Sequence, residues 1–325
     1  MNDLTIVGSV AFDDLEMPSG VFENVLGGAA TYAAIAASLL ASPRVVGVVG
    51  DDFGDEHLAM LKKRGIDTEG IERAHGKTFR WRGRYSQDLA SRESLDTQLN
   101  VFADFRPKLP AKYTESNFVL LGNIHPALQL DVLAQIQKAG EASKKKPKLV
   151  AADTMNFWIH GEPKILGEVL SKIDLLIIND EEARDLAGVG NIARAAGEIR
   201  RKFSAHRKEA PLRLIVKKGE HGALLFDDAG PFFAPAYPLE EVRDPTGAGD
   251  TFAGGVLGYL ARMDDASPKA LRRAIFHGSA LGSFSVEDIG TKRLAAVTPA
   301  DYRARLDAFV RFVDYGGDLW PSPVN

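Results

Sequence analysis

Short, uninterrupted apolar runs alternate along this chain with helical patterns, and no other feature narrows its fold so far. The runs LTIVGS, RVVGVVG, FVLLGN, KLVAAD, DLLIIND and LRLIVKKG are rich in β-branched residues, and between them stand segments such as FGDEHLAMLKKRG, ALQLDVLAQIQKAG and EEARDLAG. Strands that are apolar throughout and separated by helices imply a mostly parallel sheet covered on both faces. In open α/β sheets ligands bind beyond the carboxyl ends of the strands. Here Gly8-Ser9, Asp153 and Asn179-Asp180 are such ends. The 325 residues allow a sizeable core, and we expect one α/β domain over 1–325.

One region breaks the rhythm. Residues 70–102 carry alternating aromatic, basic and polar residues with turn signals and no long helix. They predict an antiparallel excursion, joined by residues 14–25, that forms a small β lid beside the ligand edge. Within TFRWRGRY, Arg80, Arg82 and Arg84 alternate with Phe79, Trp81 and Tyr85, so a strand there has one basic and one aromatic face. An aromatic face toward the pocket could stack on a sugar or a base, whereas a basic one would suit a phosphorylated substrate. Packing in a homodimer or on the main domain, with the arginines solvated, is the third reading.

Composition removes several function classes. The formal net charge of −4 argues against a general nucleic-acid binder. The chain contains no cysteine, which excludes disulfides, thiolate nucleophiles and Cys-based metal sites and fits a reducing cytoplasm. The small-residue stretch VLGGAATYAAIAASLLAS is too weakly apolar for a membrane helix and reads as a buried helix entered through Gly27-Gly28. GIERAHGKT has one residue too many between its glycines for a P-loop. The seven histidines show no metal-ligand spacing. His277, inside LRRAIFHGSALGSF, reads as packing.

The most informative stretch is RDPTGAGDTFAGG, residues 243–255. After Asp250, Phe252, Val256, Tyr259, Leu260 and Met263 fall at helical spacing, so a helix starts near Gly249. Gly247, Ala248 and Gly249 leave backbone N–H groups bare at a positive helix terminus, which suits phosphate or a developing oxyanion. Asp250 alone could be a cap. A cap does not require the preceding small residues or Gly254-Gly255, each of which costs about 1 kcal/mol in a helix, and their presence suggests a close approach to the backbone. Base and anion hole side by side suit phosphoryl transfer to a hydroxyl.

With these residues in view, DPTGAGDTFAGG resembles the C-terminal signature of the PfkB (ribokinase-like) family of carbohydrate and nucleoside kinases. Further pieces follow in family order. GSVAFDD resembles the first-strand motif and maps a hydroxyl-binding acid to Asp13. LGGAATYAAIAASLL maps substrate contacts to Gly27 and Gly28. NDEE maps an Mg²⁺-associated pair, acting through water, to Asn179 and Glu182. VKKGEHG maps nucleotide contacts to Lys217, Gly219 and Gly222. Each has a plainer alternative: Asn179 and Glu182 as a helix cap with an acidic first turn, Lys217 as a turn flank, Asp13 as a surface acid.

The resemblance implies a mostly parallel sheet with helices on both faces, a small β lid, and ATP and Mg²⁺ as cofactors. Asp250 would be the general base, Gly247 to Asp250 the anion hole, and a hydroxymethyl group of a sugar the acceptor. A monovalent cation such as K⁺ near Asp244 is left open. The sequence departs from the family where Tyr32 replaces an Asn and Ala11 another, and DTMNFW lacks an Arg. The acceptor is therefore also open to a nucleoside, and a catalytically silent nucleotide- or sugar-binding sensor stands as the reading of another class.

Overall fold

In the computed structural model, which describes residues 3–205 and 210–314, the strands form two sheets. The strands are β1 (Asp3–Val7), β2 (Ala11–Met17), β3 (Gly20–Gly27), β4 (Ser42–Val49), β5 (Asp67–Arg73), β6 (Phe79–Tyr85), β7 (Arg92–Gln98), β8 (Phe118–Leu121), β9 (Leu149–Ala152), β10 (Leu175–Asn179), β11 (Arg213–Lys217), β12 (Ala223–Asp227) and β13 (Gly230–Ala234). The helices are α1 (Ala29–Ala37), α2 (Asp55–Lys63), α3 (Ala111–Thr114), α4 (Pro126–Ser143), α5 (Asn156–Gly161), α6 (Pro163–Leu170), α7 (Asp180–Ala187), α8 (Ile192–Ser204), α9 (Ala248–Met263), α10 (Pro268–Ser285), α11 (Lys292–Ala296) and α12 (Pro299–Val313).

The large sheet runs β13-β12-β11-β10-β9-β8-β1-β4-β5. All its pairs are parallel except β11–β12 and β12–β13. The six apolar runs of the sequence are β1, β4, β8, β9, β10 and β11. Their side chains alternate between two cores: Leu4, Ile6, Leu120 and Ile177 join one, and Val7, Val119, Leu121 and Ile178 the other. A period of two with apolar residues on both faces is what burial between helix layers demands. The chain order reverses direction at β1, whose neighbours are β4 and β8, and such a switch opens a crevice at the strands' carboxyl ends.

The α1 helix is buried on nearly every side, as its small residues predict. It packs on α9 so closely that a Cβ at Gly254 would stand 2.2 Å from the carbonyl oxygen of Ala33. On another side of α9, a Cβ at Gly255 would lie 2.9 Å from the Cα of Gly278 in α10. The close approach suggested by Gly254-Gly255 is therefore helix against helix. Met263, counted on the apolar stripe, is instead 51% exposed at the helix end.

The small sheet runs β3-β2-β6-β7. It differs from the sequence expectation in two ways. β2 and β6 pair in parallel, so the sheet is mixed instead of antiparallel. Its limits also shift: β5 belongs to the edge of the large sheet, which removes 70–73, while β2 and β3 extend the early segment to 11–27. Strand pairing between segments far apart in sequence decides both points, and no local pattern encodes it. No helix of the described residues is long and apolar enough to cross a membrane.

Candidate active site

The helix α9 opens at Gly247, whose φ of 70° is the left-handed conformation that glycine adopts freely. A side chain there would also collide with the Tyr32 ring, 2.3 Å from the Cβ position. Thr251 N–H donates to the Gly247 carbonyl at 2.8 Å, which starts the helical ladder. The Ala248 N–H turns back to the Pro245 carbonyl at 3.2 Å, so one of the amides enlisted for the anion hole is already engaged. Gly249 and Asp250 occupy first-turn positions, where N–H groups have no helical acceptor.

Asp250 is half-buried, and its carboxyl pKa is pushed up to about 6. Burial is the main cause and the Asp153 charge adds to it, while Lys217 and Arg92 oppose. Lys217, the last residue of β11, directs its ammonium at the same turn: a Cβ on Gly249 would lie 2.9 Å from Nζ. The ammonium also pairs with Asp153 Oδ2 at 3.4 Å. Burial disfavours the charged lysine, but Asp153, Glu182 and Asp250 together outweigh it and hold its pKa above the usual value. Asp153, just beyond β9, is raised by burial against the pull of Lys217. A half-buried lysine paired with Asp153 and influenced by the charges of Glu182 and Asp250 carries charge complementary to a polyphosphate.

Asn179 and Glu182 close a reciprocal capping box on α7. Asn179 Oδ1 accepts from the Glu182 N–H, and Glu182 Oε2 from the Asn179 N–H, each at 2.8 Å. The plainer cap reading of the sequence thus holds for their hydrogen bonds. Glu182 nonetheless faces the site: its pKa is raised to about 7, chiefly by burial and then by Asp153. Among the described residues no group of three or more His, Asp or Glu side chains converges as a metal cage. The hard oxygen donors of Glu182 and Asp153 are of the kind that suits Mg²⁺, usually through water. Gly219 stands exposed with open space where a Cβ would be, and Gly222 is buried against the Ala234 carbonyl, beside the turn in which Lys218 N–H donates to the Gly222 carbonyl.

On the acceptor side, Asp13 of β2 is 5% exposed, and its carboxyl pKa is raised to about 8 by burial and by Asp244 and Asp250. Gly27 makes room for it, since a Cβ there would lie 2.0 Å from Asp13 Oδ2. Gly28, with φ 96°, is the N-cap of α1. At the strand end Gly8-Ser9, the Ser9 hydroxyl accepts from Ala29 N–H and its carbonyl from Ala30 N–H, which ties this end to the start of α1. Tyr32, the departure from the family's Asn, is 1% exposed, and its hydroxyl has no hydrogen-bond partner among the described residues. The charges of Asp13, Asp244 and Asp250 all bear on that hydroxyl, so it lies near these three acids.

The two faces of the small sheet are now distinguishable. Arg80 pairs with Asp14, and Arg82 and Arg84 both pair with Glu16, so the basic face is neutralised within the sheet. Trp81 stands in register with Asp13 on the other face. Its indole lies over Gly83, donates to Ser94 Oγ at 3.1 Å and carries the Arg92 guanidinium 5.6 Å from the ring centre. Arg92 was missed in the sequence, although its charge bears on Asp13, Glu182 and Asp250. Only the pairing of β7 with β6 brings it opposite Tyr85, and no motif marks it. Near the cation position left open by the sequence, Asp244 is fully buried and accepts from the N–H groups of Thr246 and Gly290. His277 bonds Tyr302 and stacks on Tyr259, in keeping with a packing role. A surface hollow of about 530 Å³ between Lys62 and Glu69 lies at the amino end of β5, away from these groups.

Comparison with known proteins agrees with this fold. The family model "pfkB family carbohydrate kinase" matches residues 1–297. A cytidine kinase of Thermococcus kodakarensis is 30% identical over 268 residues, covering 81% of this chain and 90% of that protein. The nucleoside kinase of Methanocaldococcus jannaschii superposes with a TM-score of 0.71 at 20% identity, over 95% of this chain and 99% of the other. An E. coli protein assigned as a ribokinase II, solved with ATP and Mg²⁺, gives 0.74 at 17%, over 95% and 100%.

Proposed function

The chain belongs to the pfkB family of carbohydrate kinases and is a phosphotransferase with an alcohol group as acceptor, and from that premise we propose that it transfers the γ-phosphoryl group of ATP to the hydroxymethyl group of a nucleoside. The observation that carries the chemistry is the half-buried carboxylate of Asp250 in the first turn of α9, where the Lys217 ammonium reaches Gly249 and its charge bears on Asp250. Asp250 accepts the hydroxyl proton as the new O–P bond forms and the bond to the departing diphosphate breaks. The amides of Gly249 and Asp250, at the positive end of α9, face the charge that builds on the phosphoryl oxygens. Lys217 binds the polyphosphate, and Mg²⁺, when bound, neutralises part of its charge.

The nucleoside assignment rests on Trp81, whose indole shares a sheet face with Asp13 and offers a stacking surface for a base. It also draws on the likeness to a cytidine kinase over most of both chains. Asp13 and the Gly27-Gly28 turn would grip the ribose, with the Tyr32 hydroxyl where relatives carry an amide. The small sheet acts as a lid over that pocket, with its aromatic face inward. A free sugar, the first acceptor suggested by the sequence, would use the same Asp13 grip but present no base to stack on Trp81.

ATP consumption measured against nucleosides, sugars and sugar phosphates tests the reading, and turnover highest on a nucleoside is expected. Asp250→Asn should keep fold and ATP binding while losing at least ~10³-fold in kcat, at the upper end for a lost acid–base group. Because Asp250 must be ionised to act, kcat should fall about tenfold per pH unit below about 6 and level off above it. A variant with near-normal kcat would remove Asp250 as base. Ligand-induced thermal shifts without any turnover would instead point to a sensor.

A further inference from the structure

We propose that Tyr85 is a positioning residue that ties the placement of the small sheet to the shape of the anion hole. The proposal rests on the phosphotransfer reading of Asp250 and α9. Tyr85 ends β6, and its hydroxyl lies 2.7 Å from Thr246 Oγ1 although the two residues are 161 apart in sequence. Both residues are 7% exposed, so water does not substitute for the bond. Thr246 immediately precedes Gly247, where the anion-hole turn begins.

The contact belongs to a continuous set. The Asp244 carboxylate accepts from the Thr246 amide at 2.8 Å and from the Gly290 amide at 2.7 Å. Either hydroxyl can donate in the Tyr85–Thr246 bond, and the Asp244 carboxylate holds the Thr246 main chain beside it. On the lid side, Tyr85 packs with Leu15, Met17 and Ile289. Gly290 in turn lies against Val25 of β3, with its Cβ position 2.1 Å from Val25 Cγ1. The small sheet therefore grips the turn twice, through the Tyr85 hydroxyl and through the segment at Ile289 and Gly290. The Tyr32 ring supports Gly247 from the α1 side.

This arrangement gives the lid a task beyond covering the acceptor. With the sheet seated, the turn has partners that fix the direction of the following amides. With it displaced, Thr246 loses the Tyr85 hydroxyl, and those amides lose aim. A kinase so built favours transfer to its acceptor over transfer to water, because the anion hole is fully shaped only under a seated lid. A displacement of about 1 Å in such a site costs on the order of 10²-fold in rate.

Tyr85→Phe removes the hydrogen bond and keeps the ring. Its kcat should fall at least ~10-fold with KM for ATP and acceptor within about threefold, and ATP hydrolysed per acceptor phosphorylated should rise. Thr246→Val should behave alike, Thr246→Ser should restore kcat, and the double variant Tyr85→Phe/Thr246→Val should be no worse than the poorer single. Should Tyr85→Phe fold poorly, the Thr246 pair reads the same bond with Tyr85 intact. A kcat for Tyr85→Phe within twofold of the parent, or losses that multiply in the double variant, would overturn the proposal. A parent protein that turns over no acceptor would instead sink the phosphotransfer reading, so the two failures are separable.

Discussion

Two sets of carboxylates face opposite sides of the small sheet, and they differ in everything except their chemistry. Glu16, on the outer face, receives hydrogen bonds from Arg84 and Arg82, which hold its pKa below the usual value. Asp13, one layer inward, together with Asp250 and Glu182, is raised by burial to about 8, 6 and 7 respectively. In water a nearby guanidinium keeps a carboxylate charged, whereas in the cleft desolvation dominates and the proton is held more tightly. A rise toward neutrality is what a base needs, since an acid that is always ionised takes up a proton poorly. The contrast teaches that the reactive acids of this chain are distinguished by depth and by neighbours, not by residue type.

Three experiments would break or sharpen that contrast. Lys217→Met should have the largest effect, because it leaves Asp153 and Glu182 buried without their cation and strips the polyphosphate of a partner. We expect kcat/KM for ATP to fall by ~10³-fold or more, consistent with the loss of a charged group that meets the transferring phosphoryl. Lys217 lowers the Asp250 pKa, so the acid limb of the residual pH–rate profile should move above 6. An unmoved limb would show that the cleft carboxylates do not sense this lysine.

Asp13→Asn should have a divided, intermediate effect. The folded pKa of about 8 exceeds the ordinary 3.8, so the folded state holds this proton more tightly and stability declines as pH rises through that window. The amide cannot ionise, so the variant's Tm should match the parent near pH 4, exceed it increasingly toward pH 8, and run parallel above. The gain should be roughly 2–4 °C per kcal/mol of relieved desolvation. KM for the acceptor should meanwhile rise at least ~10-fold, since one partner of its hydroxyls is altered. A variant less stable than the parent at pH 8 would contradict the burial argument.

Glu16→Gln should do least. Exposed ion pairs with long side chains contribute little and are screened by salt. Turnover should be unchanged within twofold and Tm within about 1 °C. A larger loss of turnover would mean that the outer face serves the pocket after all.

How much of this was legible beforehand follows from what local sequence encodes. The buried strands, the all-round burial of α1 and the mouth of α9 were readable because each depends on neighbours within a few residues. β5, β12 and β13 were not, because their short mixed segments gain strand character only by lying along an existing sheet edge. The same limit hid Arg92 and the Tyr85–Thr246 bond, whose partners are brought together by pairing in the small sheet and its seating on the large one. Asn179 and Glu182 show the reverse case: one pattern encodes a helix cap, and the fold sets that cap at the rim of the cleft.

The glycines inside α9 carry a last consequence. Where Gly254 meets Ala33 and Gly255 meets Gly278, three helices touch main chain to main chain, and a methyl group has nowhere to go. The aim of Asp250, the base proposed above, is thus set by an absence of matter one turn behind it, deep in the interior. A sequence with every signature residue intact but one extra carbon at 254 would look competent on paper and hold its acid a fraction of an ångström off line.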